Sequence, residues 1–278
     1  MHGEGTPLHF PEPSPKVDAL AASLRSLNSV IVAFSGGADS AFLGAFAHLV
    51  LGYDNAMCAT AISASLAESE ADDCVALATE WGLNWHKVVT HETSRPAYIA
   101  NAGDRCFHCK DELMDALGPI ALDRSATVVL GVNTDDLGDH RPGQQAAEQK
   151  GAAFPLVDAG LSKEEIRELS RQMGLRTWNK PAAACLASRV PYGTAVTVGL
   201  LSNIDRAEAA LRRLGFGGNL RVRHEGETAR IELDPADFAH VAQRHDEMVQ
   251  ALTPLGYRYV TLDLAGFRSG NLNWALQQ

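Results

Sequence analysis

Two stretches of the sequence hold residues whose types and spacing can do chemistry. Ser35-Gly36-Gly37-Ala38-Asp39-Ser40 brings glycines, hydroxyls and a carboxylate together just after an apolar run, Val30–Phe34. Gly36 and Gly37 allow backbone dihedrals that a side chain forbids, so backbone N–H groups can close around an anion. Ser35 and Ser40 add hydroxyl donors, and a helix beginning behind them adds a fixed partial positive charge. That is the chemistry of a phosphate site. The stretch is neither G-x-x-x-x-G-K-[ST] nor G-x-G-x-x-G. The second stretch is Trp178–Gly193, WNKPAAACLASRVPYG. Ala182, Ala183, Ala184 and Ala187 leave the Cys185 sulfur uncrowded, and Lys180 and Arg189 can lower its pKa or hold an anionic substrate. The competing reading is a structural cysteine in a small-residue turn.

Other candidates are sparser. Cys106-Phe107-His108-Cys109 has metal-ligand spacing: with Cys185 and His108 it can be structural zinc, and alone a redox or inert pair. Cys58 falls in an expected strand and Cys74 on an expected helix, positions that read as packing. Arg221 and Arg223 alternate on a short strand and can share one face, which suits a phosphate; solvated arginines on an edge strand are the alternative. Glu232, on the neighbouring strand, can pair with one of them or take a metal. Asn133, Asp135 and Asp136 follow a strand end, where they can touch ribose or magnesium or form an ordinary hydrogen-bonded turn. Arg268-Ser269 can tie the last segment to the site or to another subunit, and Trp81 and Trp85 read as packing.

The elements that position these residues follow from periodicity. Ser14-Pro15 opens a helix with Val17, Leu20, Leu24 and Leu27 on one face. The strand from Val30 and a helix to about Leu51 flank the glycines. Further strands are expected at Ala56–Ile62, Trp85–Thr90 and Thr127–Leu130. Helices are expected from the capping box Ser65-Leu66-Ala67-Glu68 to Gly82, over Cys106–Leu117, and from the capping box Ser162-Lys163-Glu164-Glu165 to Gly174. Alternating strands and helices imply α/β architecture, a parallel sheet covered on both faces, with ligands beyond the strands' carboxyl ends. After Pro191-Tyr192-Gly193 the pattern changes: helix Leu200–Leu214, paired strands Leu220–Arg223 and Ala229–Leu233, helix Ala236–Leu252, strand Tyr257–Leu264. The expected division is a flexible 1–13, an α/β domain over 14–194 and a small α+β domain over 195–278.

A chain of 278 residues can bury a large core, and its net charge of −10 argues against a broad nucleic-acid footprint. Its apolar runs fall short of a bilayer span, and MHGEGTPLHFPEPSP lacks the basic and apolar regions of a signal peptide, so the sequence reads as cytoplasmic with no membrane partner. Five cysteines without a disulfide-like framework point to reduced thiols.

S-G-G-x-D-S after a first strand resembles the PP-loop of the ATP pyrophosphatases. There the loop holds the pyrophosphate end of ATP, and Asp39 would orient Mg2+ or the nucleotide. SGGADS, RCFHCK, GVNTDDLGDHRPG, KPAAACLASRVPYG, LRVRH and LDLAGFRSG together resemble the LarE family, from about Ser14 to Asn273. These are ATP-dependent sulfur transferases that build the nickel-pincer cofactor of lactate racemase. The resemblance implies an adenine nucleotide alpha hydrolase-like PP-loop domain with a smaller C-terminal domain. It also implies ATP bound by Ser35, Gly36, Gly37, Asp39, Ser40, Asn133 and Asp135. The implied substrate is a pyridinium dicarboxylate mononucleotide held by Arg189, Arg221 and Arg223. A carboxylate of it is adenylated, with loss of pyrophosphate, and becomes a thiocarboxylate through Cys185, with Asp39 and Cys185 as catalytic residues. Some members give up the sulfur of the matching cysteine. Others hold a [4Fe-4S] cluster on three cysteines, which here are Cys106, Cys109 and Cys185. The implied assembly is a homo-oligomer, with the sulfide donor unidentified. A tRNA thiolase, or a nucleotide- or cluster-binding regulator without turnover, are the competing functions, and the acidic composition weighs against the first.

Overall fold

The computed structural model of the chain describes residues 8–138, 142–181 and 184–268. Ala182, Ala183, Ser269 and part of the GVNTDDLGDHRPG stretch (139–141) lie outside the described residues. The chain forms two compact units, neither of them contiguous: 1–63 with 70–92 and 106–183, and 64–69 with 93–105 and 184–278. The division expected at 194/195 therefore falls earlier, at 183/184, and two short upstream segments join the second unit.

The first unit is built on a parallel sheet of order β3-β2-β1-β4, with β1 Val30–Ala33, β2 Ala56–Ile62, β3 Asn84–Val89 and β4 Thr127–Val129. Side chains alternate across a strand, and the sheet's two faces show it. Val30, Val32, Ala56, Cys58 and Val129 join one core with α1 (Pro15–Leu27), α2 (Ala38–Leu51) and α3 (Glu68–Glu80). Ile31, Met57, Ala59 and Val128 join the other with Leu113, Met114 and Leu117. Both faces are covered, as the near-continuous apolar strands require.

Local signals set the element ends. Ser14 Oγ accepts from the Val17 N–H at 3.3 Å, with Pro15 at the first helical position of α1. Gly37 is the N-cap of α2, so the helix begins at Ala38, three residues before the expected start at Ala41, and Asp39 and Ser40 stand in its first turn. At Ser65 the cap differs from the expected box. Helix α3 begins at Glu68, whose N–H donates to Asp205 at 3.2 Å, while the Ser65 hydroxyl meets that of Tyr98 at 2.6 Å. Residues 8–13 are laid on the first unit rather than free: Pro11 is buried, Phe10 sits edge-on to Phe46, and the Glu12 N–H donates to Gln172. After the short helix α4 (Pro96–Ile99), α5 runs Arg105–Asp123, passing through Pro119 beyond the expected end at Leu117. Helices α6 (Pro142–Gln149) and α7 (Pro155–Asp158) precede α8 (Lys163–Gln172), whose capping box of Ser162 and Glu165 forms as expected.

In the second unit β5 (Leu220–Glu225), β6 (Thr228–Leu233) and β7 (Tyr259–Leu262) form a mixed sheet, antiparallel between β5 and β6 and parallel between β6 and β7. Leu220, Val222, Ile231 and Leu233 pack with α9 (Val198–Arg213) and α10 (Phe238–Leu252). At period two, Arg221, Arg223, Arg230 and Glu232 take the opposite face. Among the described residues no helix is long and apolar enough to cross a membrane.

Candidate functional site

The Gly-rich turn closes on itself. Gly36 stands at φ +68°, where a side chain would be strained, and a Cβ there would lie 2.9 Å from Cys74 Sγ. The Ser35 N–H donates to Ser40 Oγ at 3.2 Å, and the two hydroxyls are 3.0 Å apart. Beside the turn, the chain leaving β4 comes into backbone contact with α2: a Cβ on Gly131 would lie 2.8 Å from Ser40 N. Asn133 and Asp136 follow at once. Asn133 is fully buried, and its own N–H donates to Asp136 Oδ2 at 3.2 Å.

Burial pushes the Asp39 carboxyl above the usual carboxylate range, and Asp136 adds to the push. Lys163, Asn133 and Arg167 pull it back down. Asn133 steadies the carboxylate without closing a full hydrogen bond, because Asp39 Oδ1 and Asn133 Nδ2 are both buried and unpartnered. Arg167 Nε is a third such atom. Buried polar atoms are normally satisfied, so a group of orphans at one strand end marks where a polar ligand belongs. An orphaned carboxylate oxygen also fits a hard cation such as Mg2+.

Lys163 and Arg167 are one turn apart on α8, and among the described residues neither forms an ion pair. Sequence reasoning misses both; the signal is a pair of cations at i and i+4 directly behind a capping box. Asp135, expected to touch ATP, is exposed and accepts the Lys163 backbone N–H at 2.8 Å, so it fastens α8 to the turn after β4.

The Cys185 segment belongs to the second unit. Cys185 is half-buried and directly precedes a 3-10 turn, Leu186–Arg189. Arg189, expected to bind substrate or activate this thiol, has its guanidinium committed elsewhere. It is buried and bidentate to Glu208 at 2.9 and 3.0 Å, and it also donates to the carbonyls of Ala184 and Cys185 at 2.6 and 3.0 Å. Arg189 therefore shapes the backbone that carries Cys185. Glu208 also accepts the Val222 N–H at 3.0 Å, which ties the Cys185 turn to β5. Its signal in the sequence is an acid between Ile204 and Leu211 on the apolar stripe of α9. Asn101, buried at φ 53°, donates to the carbonyls of Pro191 and Thr194 at 2.8 and 3.0 Å and accepts from Arg105, which in turn holds the Ala187 carbonyl at 3.0 Å. Nothing in an Asn-Ala-Gly loop announces that role.

Arg221 and Arg223 share a face of β5, as period two requires. Arg223 donates to Glu232 and to the Ser188 carbonyl, each at 2.7 Å. Glu232 is fully buried and accepts Arg230 as well, so it serves the ion-pair network and not a metal. Arg221 is buried with its guanidinium over the Phe267 ring. Burial, then Arg189 and Arg223, push its pKa down to about 10. Glu208 pulls it back up.

Lys180 belongs to the first unit and lies against the Gly-rich turn, donating to Glu70, Asp73 and the Gly36 carbonyl. Cys106 is exposed and Cys109 half-buried, three residues apart on α5 and so on one helix face, also in the first unit. Three thiolates are a donor set that suits iron–sulfur chemistry. Among the described residues no group of three or more His, Cys, Asp or Glu is placed to hold a metal ion. Burial pushes the Cys58 thiol up to about 12 and the Cys74 thiol up to about 11, so both are packed and unreactive. Trp81 is core, and Trp85 donates to Thr60 at 2.8 Å. Arg268 is exposed.

A family model described as NAD synthase matches residues 17–112. An uncharacterized protein of Synechocystis is 44% identical over 264 residues, covering 94% of this chain and 98% of the relative. The pyridinium-3,5-bisthiocarboxylic acid mononucleotide synthase of Lactiplantibacillus plantarum is 38% identical over 259 residues, 93% of this chain and 94% of the relative. An uncharacterized protein of Methanocaldococcus jannaschii is 26% identical over 241 residues, 86% of this chain and 91% of the relative.

Glu208→Ala would leave the Arg189 guanidinium buried without its carboxylate, and a broken buried pair costs about 3–5 kcal/mol. Urea unfolding is expected to show a loss of that size. A loss below about 1 kcal/mol, the scale of an exposed pair, would mean the pair does not hold the Cys185 turn.

Proposed function

Because the chain belongs to the LarE family, we propose that it is an ATP-dependent sulfur transferase acting on a pyridinium dicarboxylate mononucleotide. The observation that carries this reading is the group of buried, unpartnered polar atoms beside the Gly-rich turn: Asp39 Oδ1, Asn133 Nδ2 and Arg167 Nε. They ask for a polyanion with a hard cation, and ATP with Mg2+ supplies both.

In the proposed reaction a substrate carboxylate oxygen attacks the α-phosphorus of ATP. The bond from the α-phosphorus to the bridging oxygen breaks, and pyrophosphate leaves with the electron pair. The backbone of Gly36 and Gly37, the hydroxyls of Ser35 and Ser40 and the start of α2 hold the phosphates. Lys163 and Arg167 face the charge that builds on the leaving group. Asp39 would hold Mg2+, which would supply positive charge against the leaving pyrophosphate. The mixed anhydride is a far better electrophile than the carboxylate, and sulfur delivered at the Cys185 turn displaces AMP to leave a thiocarboxylate. Arg221 and Arg223 recognise the substrate's own phosphate. Arg189 is reassigned from substrate binding to positioning, since its donors are taken up by Glu208 and the carbonyls around Cys185.

Cys106, Cys109 and Cys185 would hold a [4Fe-4S] cluster, whose iron without a thiolate can carry the sulfide to be transferred. The sulfide source is a separate donor, and the working form is a homo-oligomer in the cytoplasm.

Asp39 tests the activation step twice over. Its raised pKa means that the folded chain binds this proton more tightly than the unfolded chain. That contribution favours the fold at acid pH and is lost as pH rises from the unfolded value through the folded one. At neutral pH the ionised carboxylate is therefore a stability cost in the ligand-free protein. Asp39→Asn is expected to abolish pyrophosphate release from ATP with the pyridinium substrate while raising the thermal midpoint at pH 7. The gain should vanish below about pH 4, where an unfolded Asp is itself protonated. Normal release would remove Asp39 from the mechanism.

Cys185→Ala should release pyrophosphate yet form no thiocarboxylate, because sulfur acts second; sulfur transfer by this variant would exclude Cys185 as the conduit. After anaerobic purification, about four irons per chain are expected, lost in Cys106→Ala. An iron-free chain that still transfers one sulfur atom would leave Cys185 as a sacrificial donor.

A further inference from the structure

The sequence offers Lys180 as a cation for the Cys185 thiol or for an anionic substrate, and its contacts assign it another task. Its ammonium has three protons and three acceptors: Asp73 Oδ2 at 2.7 Å, Glu70 Oε2 at 2.8 Å and the Gly36 carbonyl at 3.2 Å. Asp73 is held in turn by Arg176 at 2.6 Å, and Arg176 by Glu80 at 2.8 Å. The ammonium is thus pinned on one side of the Gly-rich turn by carboxylates of α3. Burial lowers its pKa, and the contacts to Asp73 and Glu70 more than restore it, so the net shift is upward and the lysine stays charged.

Among the described residues, the backbone group it reaches is the Gly36 carbonyl. In a planar trans peptide the carbonyl oxygen and the following N–H point in opposite directions. Pinning the Gly36 oxygen against Lys180 therefore turns the Gly37 N–H the other way, toward the side of the turn that is not covered by Lys180. Few peptide planes rotate as easily as one between two glycines, because neither residue has a Cβ to resist the new dihedrals. Rotation by half a turn would aim a carbonyl oxygen at the bound anion in place of a donor. The sequence places a readily flipped peptide at the phosphate loop, and the fold places a charged donor where it stops that flip.

We propose that Lys180 is a positioning residue that locks the Gly36–Gly37 peptide with its N–H facing the phosphate. The proposal rests on the reading of this turn as a pyrophosphate site, and it predicts more than loss of charge. Removing any cation near an anion weakens binding, so Lys180→Met alone does not separate locking from simple attraction. Asp73→Asn does. It deletes a negative charge beside the site, which by Coulomb attraction should tighten an anion. By loosening the ammonium's seat it should instead weaken one.

The test is titration of the full-length protein with inorganic pyrophosphate and magnesium, followed by calorimetry and by the 15N–1H signal of Gly37. Lys180→Met is expected to weaken pyrophosphate by about tenfold or more, the scale of a lost hydrogen bond to a charged group. It should also abolish the large Gly37 amide shift expected when pyrophosphate binds the unsubstituted protein. Lys180→Arg should restore most of both, and Asp73→Asn should weaken binding with a reduced Gly37 response. Wild-type affinity and Gly37 response in Lys180→Met overturn the proposal. Tighter pyrophosphate in Asp73→Asn overturns it too, and does so even if Lys180→Met does not fold. A wild-type chain that fails to bind pyrophosphate overturns the nucleotide reading as well. Because the measurement involves no pyridinium substrate, failure of that substrate assignment leaves the result for Lys180 intact.

Discussion

The first unit depends on one close approach of backbone to backbone. Gly131, just past β4, lies against the start of α2, and a single added carbon there would stand 2.8 Å from Ser40 N. Only a residue without a side chain lets the chain leaving β4 come so close to the first turn of α2. The consequence is chemical. Asn133 and Asp136 arrive beside Asp39, and the three polar side chains crowd a strand end where water is scarce. Asp39 is then costly to ionise, with its Oδ1 buried and unpartnered.

The second unit is organised by a buried charge. Glu208 spends its two oxygens on the Arg189 guanidinium and on the amide of Val222, so one side chain on α9 sets both the Cys185 turn and the strand of Arg221 and Arg223. Arg223 adds a second tie through the Ser188 carbonyl. An ion pair buried in this way is weak evidence of stability, because desolvation offsets most of its attraction. What it supplies is geometry. Cys185 stands at the start of a single 3-10 turn, so side chains do most of the holding of the peptide groups around it. Arg189, Arg105 and Asn101 do this for the carbonyls from Ala184 to Thr194.

How much of this is legible in the sequence depends on the range of the interaction. The strands, most helices and the Ser162 capping box follow from periodicity and caps, which are local, and the sequence shows them closely. Helix α2 starts earlier than its apolar residues suggest because Gly37 is a cap and not loop. The box at Ser65 does not form because Tyr98 and Asp205, both distant in sequence, take the groups it would use. The cations are the least legible. Arg189, Lys180 and Arg223 all look available, since a sequence shows that an arginine is present but not which carboxylate reaches it first. The partners Glu208, Glu70, Asp73 and Glu232 come from elements far along the chain.

That sorting of cations explains how a chain of net charge −10 can be built to hold anions. Net charge governs long-range steering, whereas a bound phosphate responds to the few charges within a Debye length and most strongly to those out of water. Here acids are spent on the cations whose task is to shape backbone: Glu208 on Arg189, Glu70 and Asp73 on Lys180. Lys163 and Arg167 are left without an ion pair among the described residues, both acting on Asp39. The excess of acids is therefore compatible with anion binding, because it fixes which positive charges remain to be used. In the first unit that leaves Lys163 and Arg167 beside Asp39, where their charge offsets the cost of burying the carboxylate.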